Sequence, residues 1–122
     1  MKALIDIVAA YYPRIDAMDV DWVMALFAPG AIYRRADACY EGFAAIDHFF
    51  RVARKIRGRH VIERLWSDDA SRTVFVTGLF EGQGVEGDAR QAGFADIWYF
   101  GEGDLVDFRQ TYLALGHAYV ER

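Results

Sequence analysis

The chain has one cysteine, Cys39, in 122 residues. That excludes an internal disulfide and a cysteine-rich zinc site. Its three histidines, His48, His60 and His117, show no metal-ligand spacing, so no metal is expected. No segment approaches the roughly 18 consecutive apolar residues that a membrane-spanning helix needs. The opening "MKALIDIVAA" is a poor signal peptide because Asp6 interrupts a short apolar run. A soluble cytoplasmic protein is the expectation. Positive charge is also in short supply, with 14 Lys and Arg against 18 Asp and Glu and a net charge of -4. This disfavours a nucleic-acid binder. The one basic run, "RVARKIRGRH", lacks the interleaved aromatics of a nucleic-acid surface and reads as a solvated helix face, at most steering an anionic ligand. The glycines of "EGQG" and "GEGD" open no helix, so they mark turns and not a phosphate loop. Ser67, Ser71 and Cys39 have no recognisable base beside them. No cofactor is implied.

What is present is a core. Hydrophobic residues make up 54% and aromatics 16%, in a length that suits one domain over residues 1–122. Leu4, Val8, Tyr11 and Ile15 recur at steps of three and four and predict a helix, with Pro13 kinking it or shifting its boundary. Asp19 is placed to cap a second helix carrying Val20, Val23, Met24 and Phe27, which "APG" at 28–30 ends. "AIYRR" reads as a short strand and "ADACYEG" as an irregular crossing. "FAAIDHFFRVARK" predicts a third helix with Ile46, Phe49, Phe50 and Ala53 on its apolar stripe and Arg51, Arg54 and Lys55 largely off it. Four strands separated by short turns then form an antiparallel meander: "RHVIERLWS", "RTVFVTGLFEGQGV", "ARQAGFADIWYF" and "DLVDFRQTYLAL". The order predicts an α+β fold with helices on one face of an antiparallel sheet.

The segment "GFADIWYF" poses the chemical question. Alternation puts Asp96 on one face with Phe94, Trp98 and Phe100, while Ala95, Ile97 and Tyr99 take the other. With both faces apolar, one belongs under the helices and the other predicts a homodimer through the outer sheet face. Asp96 between Phe94 and Trp98 loses hydration, which favours its protonated form. A protonated acid there donates a hydrogen bond to a substrate oxygen. The alternative is that Asp96 accepts bonds from a neighbouring Tyr, Arg or His and fixes the core.

The stretches "YYPRIDAMDVDWVMALFAPGAIYRR", "YEGFAAIDHFFRVAR", "RHVIERL" and "GFADIWYFGEGDLVDFRQTYL" together resemble the SnoaL-like branch of the NTF2-like superfamily over nearly the whole chain. The resemblance implies a cone: N-terminal helices packed on a curved antiparallel sheet that encloses an apolar pocket. It includes ketosteroid isomerase, scytalone and bile-acid dehydratases, limonene epoxide hydrolase and polyketide cyclases, as well as binding modules. It implies that Asp96 faces the pocket, and that His60 pairs with a helix-borne carboxylate. Asp16 is that carboxylate by its spacing to Pro29, and Tyr11 precedes it as in the bile-acid enzyme. It places the face of Phe108, Gln110 and Tyr112 in the pocket with Phe94 and Trp98. Arg35 stands where ketosteroid isomerase keeps its proton-abstracting aspartate, which argues against that route, because arginine does not deprotonate. Arg35 is suited instead to bind a carboxylate, phenolate or enolate oxygen, or to pair with Asp37 or Glu41. Gln110 and Phe94 replace an aspartate and an arginine of limonene epoxide hydrolase, which puts epoxide opening in doubt. Glu81 would reach the Asp96 face across a two-residue hairpin turn, but Gly82 and Gly84 mark a bulge that would reset its parity.

Two functional readings follow. One is a cofactor-free lyase or isomerase that dehydrates, or shifts a double bond in, a hydrophobic oxygenated small molecule. It would use Asp16, His60, Asp96 and Tyr11. The other is a non-catalytic ligand-binding or dimerisation module. Cyclase or epoxide-hydrolase chemistry and a basic-surface interaction protein are further alternatives.

Overall fold

The computed structural model describes residues 3–36, 38–84 and 86–114. Helix α1 (Leu4–Asp16) buries Val8, Tyr11, Tyr12 and Ile15, the predicted stripe widened by Tyr12. Pro13 is inside α1, which ends at Asp16. Asp19 caps α2 (Val20–Met24) by accepting from the Trp22 amide at 3.4 Å. The second helix ends earlier than expected. Phe27 and "APG" already belong to strand β1 (Phe27–Arg35), because Phe27 is drawn into register with Val106. The supposed irregular crossing contains a strand, β2 (Ala38–Glu41), antiparallel to β1. Helix α3 (Phe43–His48) runs into a wide turn, Phe49–Ala53, in which the Arg54 amide reaches back five residues to the Phe49 carbonyl at 2.8 Å.

The meander is as expected: β3 (Arg57–Asp68), β4 (Thr73–Gln83), β5 (Ala89–Phe100) and β6 (Val106–Ala114), each antiparallel to the next. The sheet as a whole is mixed, in the order β2-β1-β6-β5-β4-β3, because β1 runs parallel to β6. The purely antiparallel sheet of the sequence reading is corrected on this point. A strand that leaves a helix and returns through another can lie parallel to a distant one, which a hairpin cannot do.

The core lies between the helices and the inner sheet face. Val74, Val76, Phe94, Trp98, Phe100 and Val106 on the sheet meet Val8, Tyr11, Ile15, Val23, Ile46 and Phe50 on the helices. As expected, Asp96 shares this face with Phe94 and Trp98, and all three are buried. The outer face keeps exposed aromatics, with Trp66 at 41%, Tyr99 at 39% and Tyr112 at 54% exposure. No helix among the described residues is long and apolar enough to cross a membrane.

Candidate functional site

Sheet register builds the first half of the site. Directly paired residues share a face, so Val76, Asp96, Thr111 and Arg35 form one row across β4, β5, β6 and β1. Trp98, Arg109 and Tyr33 form another. Asp96 is 1% exposed and accepts hydrogen bonds on both oxygens. Tyr12 donates to Oδ2 at 2.5 Å, Arg109 donates to the same oxygen at 2.9 Å, and Thr111 donates to Oδ1. With its one hydrogen given to Asp96, Thr111 accepts from Tyr33 at 3.1 Å. Trp98 donates to the Tyr12 hydroxyl at 3.2 Å. The Arg109 guanidinium lies 4.5, 4.6 and 4.2 Å from the ring centres of Tyr11, Tyr33 and Trp98 and donates to the Tyr11 hydroxyl at 2.8 Å. Burial opposes the charge on Arg109, but Asp96 and the surrounding phenols more than offset it and hold its pKa well above the ordinary value. Both oxygens of Asp96 are occupied by protein partners, Tyr12, Arg109 and Thr111, so the expectation of an Asp96 that donates to a substrate oxygen is corrected; its alternative, an acid that fixes the core, describes this arrangement.

Two phenols stay protonated near neutral pH. Burial raises Tyr11 to about 12, with Arg109 opposing. Tyr12 is pushed well above its usual value by burial and then by the Asp96 charge. Among the described residues, the one hydrogen bond of the Tyr11 hydroxyl is the bond it accepts from Arg109, so its own proton is left for an oxygen in the cavity.

The second half is the Asp16–His60 pair. Asp16 ends α1 and points at the start of β3. Its Oδ2 accepts from the His60 amide at 2.8 Å and its Oδ1 meets His60 Nδ1 at 2.6 Å. The backbone bond holds the carboxylate beside the ring, so that both of its oxygens are engaged by His60. Phe80, Phe94 and Tyr12 box the imidazole with ring centres at 5.0 to 5.2 Å. Burial lowers the His60 pKa and Asp16 offsets part of that. The lowered pKa favours the neutral ring, and a neutral ring hydrogen-bonded to Asp16 carries its hydrogen on Nδ1 and leaves the Nε2 lone pair free.

Both halves meet at one cavity of about 120 Å³ open to the centres of water molecules, lined by Tyr11, His60, Phe94, Asp96 and Arg109 among others. Asp16 is behind His60, one layer out. Tyr12 joins the two clusters, with its ring against His60 and its hydroxyl on Asp96. Arg35 lines the cavity as expected, with its guanidinium carbon 5.1 Å from the Phe49 ring centre. The possible Asp37 partner is outside the described residues. The surface of the cavity is mostly apolar, and three arginines, Arg35, Arg54 and Arg109, reach into it.

Other expectations are corrected. Phe108, Gln110 and Tyr112 lie on the outer sheet face, and Arg109, Thr111 and Leu113 line the cavity instead. The cause is a bulge: Tyr99 pairs with Phe108 but Phe100 with Val106, leaving Asp107 as an extra residue that flips the parity of all that follows. Phe108 packs on Tyr99 at 5.4 Å, and Tyr112 is half exposed. Trp98 is buried beneath Arg109 and does not line the cavity. Glu81 also faces outward, against Arg59 at 3.4 Å. The β4–β5 connection has five residues, 84–88, so Val76 pairs with Asp96 and the even positions of β4 face in. His117 is outside the described residues.

Sequence reasoning missed Arg109, Tyr12, Tyr33, Thr111 and Arg54. Arg109 had a signal: an arginine within an apolar strand needs a buried acid, and Asp96 occupies the neighbouring strand. Arg54 had none, since helical spacing puts it off the apolar stripe. The wide turn delays the helix by one residue, so Arg54 takes the inward place and Ala53 is exposed.

No protein-family model matches the sequence, and no curated protein matches it. Solved structures do. A candidate polyketide cyclase from Pseudomonas putida superimposes with a TM-score of 0.84 at 19% identity over 99% of this chain and 98% of that one. An NTF2-like protein of unknown function from Burkholderia pseudomallei gives 0.79 at 18% identity, covering 98% and 95%. An epoxide hydrolase/cyclase-like enzyme of pyran ring formation in polyether salinomycin gives 0.78 at 18%, covering 90% and 89%. At these identities the likeness speaks for the fold, and the chain has the NTF2-like fold that the resemblance to its SnoaL-like branch implies.

Proposed function

We propose that the protein is a cofactor-free acid–base enzyme that eliminates water from, or shifts a double bond in, a small oxygenated molecule. The observation that carries this reading is the His60 imidazole, held by Asp16 at 2.6 Å and opening on a cavity that also holds the Tyr11 hydroxyl. His60 Nε2 accepts a proton from a carbon next to a carbonyl. Tyr11, steadied by Arg109, donates a hydrogen bond to the carbonyl oxygen as negative charge develops there. The imidazolium then returns its proton, either to a departing hydroxyl, which leaves as water, or to another carbon of the same molecule. Asp96 is a positioning residue that holds Arg109, Tyr12 and Thr111 in place.

His60→Gln should lower turnover by about a hundredfold or more while the fold is retained. A variant at full speed on a validated substrate would leave the non-catalytic ligand-binding reading. Likeness to cyclase and epoxide hydrolase/cyclase-like structures supports ring-forming chemistry as the second choice. Direct epoxide opening by a strand acid fits less well, since Phe94 is apolar, Gln110 faces outward and Asp96 is committed to three donors.

We also propose a homodimer through the outer sheet face. Stacked Trp66 and Phe75, at 5.4 Å, and the exposed Tyr99 and Tyr112 support it. Sedimentation as a monomer at micromolar concentration would exclude it.

A further inference from the structure

Three guanidiniums line the cavity, those of Arg35, Arg54 and Arg109, against one lining carboxylate, Asp96. Asp96 is spoken for by Arg109, and both oxygens of Asp16 are taken by His60. The charge in excess is therefore that of Arg35 and Arg54. Neither has a carboxylate partner among the described residues. Among the described residues, Arg54 donates only to neutral acceptors, the Met18 sulfur at 3.6 Å and the Ile56 carbonyl at 3.3 Å. Arg35 covers the Phe49 ring, and its Nε is buried with no hydrogen-bond partner among the described residues. Burial lowers the Arg54 pKa, and the nearby Arg35 cation adds to that.

Two cations on the wall of one half-enclosed cavity repel each other and lose hydration. A group that removes both penalties is an anion between them. The wide turn after α3 is what brings Arg54 to the wall, and turns of this kind occur often at functional sites. Phe49, Phe80, Phe94 and Leu113 supply apolar surface beside the cations.

We propose that the ligand of this cavity is a small aryl or alkyl carboxylate, its anionic group held by Arg35 and Arg54 and its apolar body lying toward His60. The inference rests on the cavity being the ligand site of the proposed function. It does not depend on His60 moving a proton. A guanidinium pairs with a carboxylate through parallel N–H donors, which a neutral amide of the same shape cannot match.

The test is calorimetric titration of the full chain with phenylacetate, 3-phenylpropanoate and cinnamate, each beside its primary amide. At least one acid should bind about tenfold or more tightly than its amide. The double variant Arg35→Gln, Arg54→Gln should lose that preference, and His60→Gln should keep it. Equal or better binding of the amides to the native chain overturns the proposal, as does failure of all three acids to bind at millimolar concentration. Because the acid–amide comparison is made on the native chain, it stands even if the double variant does not fold. An acid preference in a chain whose His60→Gln variant turns over at full speed sinks the proposed mechanism and leaves this inference standing. The reverse pattern, with His60-dependent turnover of neutral substrates and no acid preference, sinks this inference alone.

Discussion

Two carboxylates in this protein each face a basic side chain, and they are held in different ways. Asp96 and Arg109 are 1% and 3% exposed and lie on neighbouring strands under the helices. Every oxygen of the acid has a donor and the cation is covered by three aromatic rings. Asp16 and His60 are 17% and 13% exposed and join a helix end to a strand start. There one ring nitrogen is held and the other is free. The difference teaches that buried charge of itself does not mark chemistry. A pair whose carboxylate has a donor on every oxygen orders its surroundings, whereas a pair with one ring nitrogen free at a cavity can move a proton.

The contrast predicts separable effects. Asp96→Ala strands Arg109 without its counter-charge and should cost about 3–5 kcal/mol of stability, read by urea unfolding. A cost within about 1 kcal/mol, the scale of an exposed ion pair, would break the comparison. His60→Gln should do the opposite, removing about two orders of magnitude or more of turnover while moving the unfolding midpoint little.

A pH series sharpens the same point. A general base works unprotonated, so kcat/KM should fall only as pH drops below the ordinary imidazole value of 6.5, because burial lowers the His60 pKa. Stability follows the same sign. Unfolded His60 binds its proton first, so its contribution is complete above pH 6.5 and is lost as pH falls from there through the folded value. An acid limb above 6.5 would mean that Asp16, and not burial, governs the ring. Asp16→Asn should move that limb further down, since Asp16 is what favours the imidazolium, and should slow turnover less than loss of His60 itself. The smallest expected effect lies outside the site. Tyr99→Lys, on the outer face, should shift sedimentation toward monomer and leave ligand affinity in place.

How much of this was legible follows from the range of each signal. Asp96 was legible because alternation within one strand is local: Phe94 and Trp98 carry it inward. Asp16 and His60 were legible only through the resemblance, since 44 residues separate them. The face of β6 was misread. One bulged residue, Asp107, reverses every position after it. Glu81 was settled by the odd length of the 84–88 connection.

The sequence by itself determined the α+β order, the four-stranded meander, the apolar stripe of α1, the Asp19 cap of α2 and the side of the sheet on which Asp96 lies. Each of these depends on periods of two or 3.6 residues and on turn chemistry within a few positions. The tertiary structure decided the parallel pairing of β1 with β6, the partner of Asp96 and the inward swing of Arg54. Those depend on a bulge, a wide turn and an inter-strand register, where a shift of one residue is slight in local pattern but exchanges the two faces of a strand.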